Sequence, residues 1–368
     1  MSVETIAVLG AGHGGHAVAA ELSLAGYKVN IYNRSQERLA PIIRAGGIEL
    51  VGESRRQGFA KLNKVTTNIR EAIDGVELIV VVVPTSAHRF MAEQVAPYLK
   101  DRQLIFLNPG HTGGALEFSR VLKELGVKKK VIVAESMSIT HGSRIVSPAK
   151  VKVMRLMKLL FAAMPARDTD EALDRLEDVF PNQLNKAINV LETGFNNINA
   201  MEHPPGMLMN AGWIEHTWGG FRFYYEGITP SVGRVIDAID AERLKIMRTL
   251  GLKPTPFVEM FYDAEMTNVK EGTAYEALQA SEPNKDVKSP DTLHNRYVDE
   301  DVGYGLVPMA SIARICDVET PVMDSLIMLA SVANETDYWR EGRTVEKMGI
   351  ARMSIRELIR FVDEGYMK

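Results

Sequence analysis

Thr5-Ile6-Ala7-Val8-Leu9 runs without a break into Gly10-Ala11-Gly12-His13-Gly14-Gly15, and no other junction in the chain confines its fold so tightly. An apolar strand, a glycine turn and a helix over His16 to Ala25 follow one another in the order of a Rossmann dinucleotide-binding unit. Each glycine has a separate reason. Gly10 allows the tight turn, Gly12 lets the backbone approach a pyrophosphate, and Gly15 lets the helix pack closely on the strand. His13 and Gly14 belong to the same cradle, whose free N–H groups and positive helix end favour an anion. The plainer reading is a glycine turn that holds no ligand.

Lys28-Val29-Asn30-Ile31-Tyr32 stands where the second strand of such a unit belongs. A carboxylate at its end would bond the adenosine ribose hydroxyls of NAD, but this chain has Asn33-Arg34-Ser35. A guanidinium there can hold a 2′-phosphate with charge-assisted bonds and stack on the adenine. NADP(H) is therefore the expected cofactor, with NAD(H) the second choice. Otherwise Arg34 is a solvated loop cation and the chain accepts either.

Short apolar runs alternate with helical patterns through the first half: Ile6 to Leu9, Val29 to Tyr32, Leu78 to Val83, Leu104 to Leu107 and Val131 to Ala134. This alternation predicts an α/β domain with a doubly wound, mostly parallel sheet. Gly47 to Gly52 and Gly58 to Asn63 read as an inserted antiparallel hairpin, and Ala149 to Val153 and Leu159 to Met164 as extensions of the main sheet. Ligands in such sheets bind beyond the carboxyl ends of the strands. The loops there carry Pro84 and Thr85, then Asn108 and Gly110, then Glu135. They suit a wall beside the nicotinamide ribose, although ordinary turn chemistry would look the same.

At 368 residues the chain exceeds one typical core, and the pattern changes near Asn185. We expect a dinucleotide-binding domain over residues 1–184 and a mostly helical domain over 185–368. Helical periodicity covers Ala187 to Ala200, Pro205 to Glu215, Ser231 to Leu250 and Pro321 to Ala333, the last with Thr320 placed to cap it and Pro321 in its first turn. The polar stretch Ser281 to Asn295 reads as a lid or a surface loop. A net charge of −4 offers no basic field for nucleic acid. The lone cysteine, Cys316, excludes an internal disulfide framework and reads as an inert core residue. No signal peptide is expected, since Met1-Ser2-Val3-Glu4 leads directly into the first strand, and the longest apolar run, Leu78 to Val83, is strand-sized. A cytoplasmic protein without metal or membrane partner is the expectation, and the apolar C-terminal helices could support a homodimer.

Two segments of the second half carry chemistry. Asn199 and His203 lie four apart, on one helical face. Pro204 and Pro205 should end that helix, leaving His203 in a last turn whose dipole favours imidazolium. Farther on, Arg296 and Asp301 stand in Asn295-Arg296-Tyr297-Val298-Asp299-Glu300-Asp301. A carboxylate here could orient His203, and Arg296 could hold a substrate carboxylate in a bidentate fork. The alternatives are a histidine that caps its helix and a surface charge cluster.

In Val8 to His16, Leu107 to Glu117, Asn199 to Pro204 with Asn210, and Arg296 to Pro308, the chain resembles the octopine/nopaline (opine) dehydrogenase family. Tyr225 to Gly233 and Glu341 to Thr344 add to the likeness, which spans essentially the whole length. The resemblance implies reductive condensation of an amino acid's amine with a 2-oxo acid such as pyruvate. It also implies a helical C-terminal domain of the 6-phosphogluconate dehydrogenase-like type, with substrate between the domains. The family's catalytic histidine and aspartate would be His203 and Asp301, and its substrate-binding asparagine and arginine would be Asn199 and Arg296. Two features depart from the family: the second strand ends without an acidic residue, and histidines stand at 111 and 141. The rival readings are a related keto-acid or hydroxy-acid dehydrogenase of the glycerol-3-phosphate or ketopantoate type, and a non-catalytic NADP(H) sensor.

Overall fold

The structure is a computed structural model that describes residues 3–366. The chain forms two compact units. One runs to Thr193 and takes back the residues from Arg360, and the other is Gly194–Ile359. The division thus falls after Thr193 rather than after residue 184. β12 (Leu184–Lys186) is an edge strand of the main sheet, and the Thr193 hydroxyl bonds Glu135 within the first unit.

The main sheet of the first unit contains β1 (Thr5–Leu9), β2 (Lys28–Tyr32), β5 (Lys64–Thr66), β6 (Leu78–Val81), β7 (Leu104–Leu107), β8 (Ile132–Ser136) and β11 (Leu159–Met164), besides β12. Its order is β12-β11-β8-β7-β6-β1-β2-β5. Every neighbouring pair is parallel except β11 with β8. Strand order reverses between β1 and β6, which makes their carboxyl ends the switch point where such sheets bind ligands. Ile6 to Leu9 are fully buried, as expected of a strand covered on both faces.

The hairpin is present as β3 (Ile48–Gly52) and antiparallel β4 (Gly58–Ala60). Ala149 to Val153 does not extend the main sheet. Instead β10 (Lys150–Leu156) runs parallel to β3 and antiparallel to β9 (His141–Ser147), giving a second sheet of order β4-β3-β10-β9. A short hairpin cannot bury a face alone. With β10 added, Leu50, Val151 and Val153 pack into the same apolar cluster as Ala17 and Val18 of the helix His13–Leu24.

The second unit is helical. Its longest helix, Pro230–Thr249, starts with Thr229 accepting from Val232 N–H at 3.4 Å and Pro230 in the first turn. Arg243 on this helix is fully buried, and its charge is matched by Asp240 at 2.7 Å and by the carbonyls of Phe195 and Thr255. Pro321–Ala333 forms as expected, but Thr320 does not cap it. The Thr320 hydroxyl turns to Asp324, and Glu242 of the long helix accepts from Val322 and Met323 N–H at 2.8 and 3.0 Å. The polar stretch is anchored by backbone bonds, Phe223 N–H to Val287 at 2.8 Å and Ser289 N–H to Phe221 at 2.9 Å.

Pro204 and Pro205 do not end their helix, which runs from Asn199 to Leu208. Proline removes a donor and crowds the carbonyl four residues back, but Ala200 to Met207 are all buried and packing outweighs that local cost. Phe223 comes so close that a Cβ on Gly206 would lie 2.6 Å from its ring.

Candidate active site

In the first unit the glycine turn has the geometry its three roles require. Gly10 has φ of +120°, and a Cβ there would lie 2.1 Å from the carbonyl oxygen of Val82, just past β6. A Cβ on Gly15 would lie 2.0 Å from Gly10 O, so only glycine lets the helix approach the strand. At Gly12, in contrast, a Cβ would meet nothing within 4 Å. That open position is the N-cap, without a side-chain cap or an acidic residue in the first turn, so the helix start is left for an anion. These residues therefore fit a dinucleotide pyrophosphate. Gly14 packs on Ile139, whose Cδ1 would lie 2.4 Å from an added Cβ. The His13 ring accepts from Ile145 N–H of β9 at 2.9 Å. His16, which the motif did not single out, lies 3.0 Å from Gly12 O through Nδ1.

Past β2, the Asn33 side chain accepts from Ser35 N–H at 2.9 Å and closes the turn. Arg34 is exposed, 5.8 Å from the Phe90 ring, and among the described residues no ion pair engages it. Pro84 precedes a short 3-10 turn, Thr85–Ala87, in which Thr85 is buried. The other loop residues point inward. Asn108 grips Thr140, donating to its hydroxyl at 2.7 Å and accepting from its N–H at 2.9 Å. Glu135 is fully buried and accepts from Ala115 N–H and the Thr193 hydroxyl, each at 2.6 Å. A Cβ on Gly110 would lie 2.2 Å from that carboxylate. His141 extends this buried row, 2.8 Å from the Thr140 hydroxyl and 3.5 Å from Glu21, which pairs with Arg55 at 2.9 Å. Burial opposes the Glu21 charge, but His141 and Arg55 outweigh it and hold that carboxyl below its ordinary range.

In the second unit His203 sits in the middle of its helix, one turn after the half-buried Asn199, so the expected helix-end dipole does not act on it. Carboxylates surround it instead. Its Nδ1 lies 2.7 Å from Asp301 Oδ2, and Asp301 is fully buried. Its Nε2 is 2.9 Å from the Tyr224 hydroxyl and 3.6 Å from Glu202 Oε1. Tyr297 stacks on the imidazole, the planes 7° apart and the centroids 3.6 Å apart. Arg296 is exposed, its guanidinium 5.8 Å from the Tyr297 ring and its Nε 4.0 Å from Glu300. The structure thus joins His203 to Asp301 directly, and places Arg296 one aromatic ring away.

Glu202, Tyr224 and Tyr297 were not singled out as chemistry. Glu202 and Tyr297 adjoin His203 and Arg296 in sequence, the only signal they offered, while Tyr224 ends a stripe of methionines and aromatics that begins at Met207 and includes Trp213, Phe221 and Phe223. Within that stripe Met207 and Phe223 are core, whereas Trp213 is exposed and stacked on Phe221 at 3.9 Å. Burial, together with the charge of Asp301, pushes Glu202 up to about 8. Tyr224 lies within the π-helical turn Phe223–Gly227 and Asp301 borders a second, Val302–Leu306, a backbone form frequent at functional sites. The arrangement is an oriented imidazole with an acidic partner on one nitrogen and a hydroxyl on the other, suited to moving a proton.

Residues 186–334 match the family model described as NAD/NADP octopine/nopaline dehydrogenase, alpha-helical domain. Residues 5–135 match that of the NAD-dependent glycerol-3-phosphate dehydrogenase N-terminus. An opine dehydrogenase of Arthrobacter sp. (strain 1C) is 37% identical over 95% of this chain and 96% of its own. An octopine dehydrogenase solved with NADH and L-arginine superposes with a TM-score of 0.80 at 18% identity, covering 99% of both chains. A yersinopine dehydrogenase with NADP+ bound gives 0.75 at 16% identity, covering 99% of this chain and 98% of that one.

Proposed function

The chain belongs to the opine dehydrogenase family, and we propose that it joins the amine of an L-amino acid to a 2-oxo acid such as pyruvate, with NADP(H) as preferred cofactor. The observation that carries this reading is the buried His203–Asp301 pair at 2.7 Å, on two of the segments that carry the family likeness. The glycerol-3-phosphate dehydrogenase match ends at residue 135 and does not reach that pair, which speaks against the hydroxy-acid alternative.

When bound, the nicotinamide supplies a hydride to the imine carbon or takes it back. His203 handles the protons of the amine and of the carbinolamine oxygen. Asp301 accepts from Nδ1–H, which leaves Nε2 as the working nitrogen and offsets the charge of imidazolium. Arg296 has an exposed fork for a substrate carboxylate, and Asn199 lies on the same helical face as His203. In the first unit, Gly10, Gly12, His13, Gly14 and Gly15 form the pyrophosphate cradle, with Pro84 and Thr85 on the adjoining loop. Asn108, Gly110 and Glu135 act through the backbone they hold in place. The preference for NADP(H) rests on Asn33 and Arg34, a turn without a carboxylate whose guanidinium makes no ion pair among the described residues.

The test is NADPH oxidation with pyruvate alone, then with added amino acids, then with NADH in its place. A requirement for both the oxo acid and the amine supports the reading. Oxidation with the oxo acid alone overturns it in favour of a keto-acid reductase, and equal rates with NADH overturn the cofactor preference.

A further inference from the structure

The pairing with Asp301 leaves a question at the other ring nitrogen. Tyr224 places its hydroxyl 2.9 Å from His203 Nε2, and Glu202 Oε1 lies 3.5 Å from that hydroxyl. All three side chains are buried, and Glu202 Oε2 has no hydrogen-bond partner. A bare carboxylate in such a place is costly, whereas a carboxylic acid brings a donor to the Tyr224 oxygen, which is also hydrogen-bonded to Tyr297. With Glu202 protonated, the row runs Glu202 O–H to the Tyr224 oxygen, Tyr224 O–H to His203 Nε2, and His203 Nδ1–H to Asp301. After one proton has moved along it, Tyr224 donates to the Glu202 carboxylate, and Nε2–H, beside Tyr224, holds the proton that passes to the carbinolamine oxygen as water leaves. The two states hold the same protons, moved one place along the row, and differ in geometry by closure of the 3.5 Å contact toward about 2.7 Å.

The reaction proposed above needs such a proton, and the inference rests on that reading. A protonated amino acid, a 2-oxo acid, NAD(P)H and one proton give a protonated secondary amine, NAD(P)+ and water. One proton is therefore taken up per condensation and released in the reverse direction. We propose that Tyr224 relays protons between His203 and Glu202, and that Glu202 is the proton store of the site. Tyr224 takes a proton from Glu202 as it gives its own to His203, so it never carries a charge. That agrees with burial and the nearby Glu202, which hold its hydroxyl well above the ordinary value. The charged and titratable groups around the row are Asp301, Tyr297 and Arg296 from the segment Arg296–Asp301, besides Glu202 on the histidine's own helix.

The experiment compares Tyr224→Phe, Glu202→Gln and the double variant of the whole enzyme across pH 5–10, after thermal melts confirm folding. Each single change should lower kcat roughly 10²-fold while KM for NADPH stays within about twofold, and the double variant should be no worse than either. In the wild type the condensation rate should fall as pH rises through about 8, where the store empties, and Glu202→Gln should lose that limb. An unchanged kcat, a limb that survives Glu202→Gln, or losses that multiply in the double variant overturns the relay. So does a faster Tyr224→Phe, which would make Tyr224 an occupant of a substrate position. Nitrogen-15 NMR of labelled histidine reads the same row without turnover. A displaced His203 titration in both single variants supports the relay even if the amine requirement fails, and an unmoved titration overturns it.

Discussion

His203 has a different neighbour on each working side: Asp301 at Nδ1, Tyr224 at Nε2 and Tyr297 against its face. Replacing it with alanine removes the proton-handling nitrogen and leaves the first unit intact. His203→Ala should therefore lower kcat by about 10²–10⁴ with little change in the NADPH dissociation constant. Steady-state kinetics with fluorescence titration of the cofactor checks this, and unchanged turnover would remove His203 from the mechanism. Arg34 is tested by ligand choice. Arg34→Ala should weaken NADPH at least tenfold more than NADH, since the guanidinium is the group offered to the 2′-phosphate, which NADH lacks. Equal losses for both nucleotides would remove the 2′-phosphate role. Of these residues the His203–Asp301 pair was legible in the sequence through a family resemblance, and Arg34 was singled out by its place after a strand. Glu202 and Tyr224 were not, because nothing local marks a glutamate or a tyrosine that a distant histidine will meet.

At the scale of elements, the glycine turn separates folding from binding. Gly15→Ala places a methyl 2.0 Å from Gly10 O and should destabilise the protein by about 1–3 kcal/mol. Gly12→Ala meets nothing within 4 Å, so it should cost no more than about 1 kcal/mol of stability. It should nevertheless weaken NADPH tenfold or more, by standing where the pyrophosphate approaches. Urea melts and cofactor titrations of both variants make the comparison. Similar destabilisation by the two changes would show that the turn matters only for the fold. The strands β1, β2, β6, β7 and β8 fell where their apolar runs predicted, because a strand buried on both faces must be mostly apolar. Lys150–Leu156 went to the second sheet instead, since its pairing depends on which strand edge lies nearby. The helix through Pro204 and Pro205 was misread for a related reason: the rule that stopped it is local, and the packing that carries it through is not.

At the scale of the whole molecule, the buried Glu202 links stability to pH. Its carboxyl is raised from 4.5 in the unfolded chain to about 8, so between those values the folded state holds a proton that the unfolded state has lost. Stability contributed by this group is therefore full below about pH 4.5 and falls as pH rises toward 8. Glu202→Gln should flatten the stability profile across that window, as read by urea midpoints at successive pH values. A slope unchanged from the wild type would show that Glu202 is ionised in the folded protein. No helix of the described residues is long and apolar enough to cross a membrane.

The sequence by itself determined the dinucleotide-binding sheet, the glycines at 10 and 15 that its first turn requires, and the change to a helical second half. Each follows from periodicity or from a motif written within a few residues of chain. Family likeness added the pairing of His203 with Asp301, 98 residues apart. Only the tertiary structure decided that Tyr224 and Glu202 complete that pair and that Arg296 stands one ring away. It also decided that Glu242 caps Pro321–Ala333 and that β10 leaves the main sheet. The physical reason is common to all of these. They are contacts between segments whose own propensities are satisfied in many arrangements, and only the close packing of the folded chain selects one.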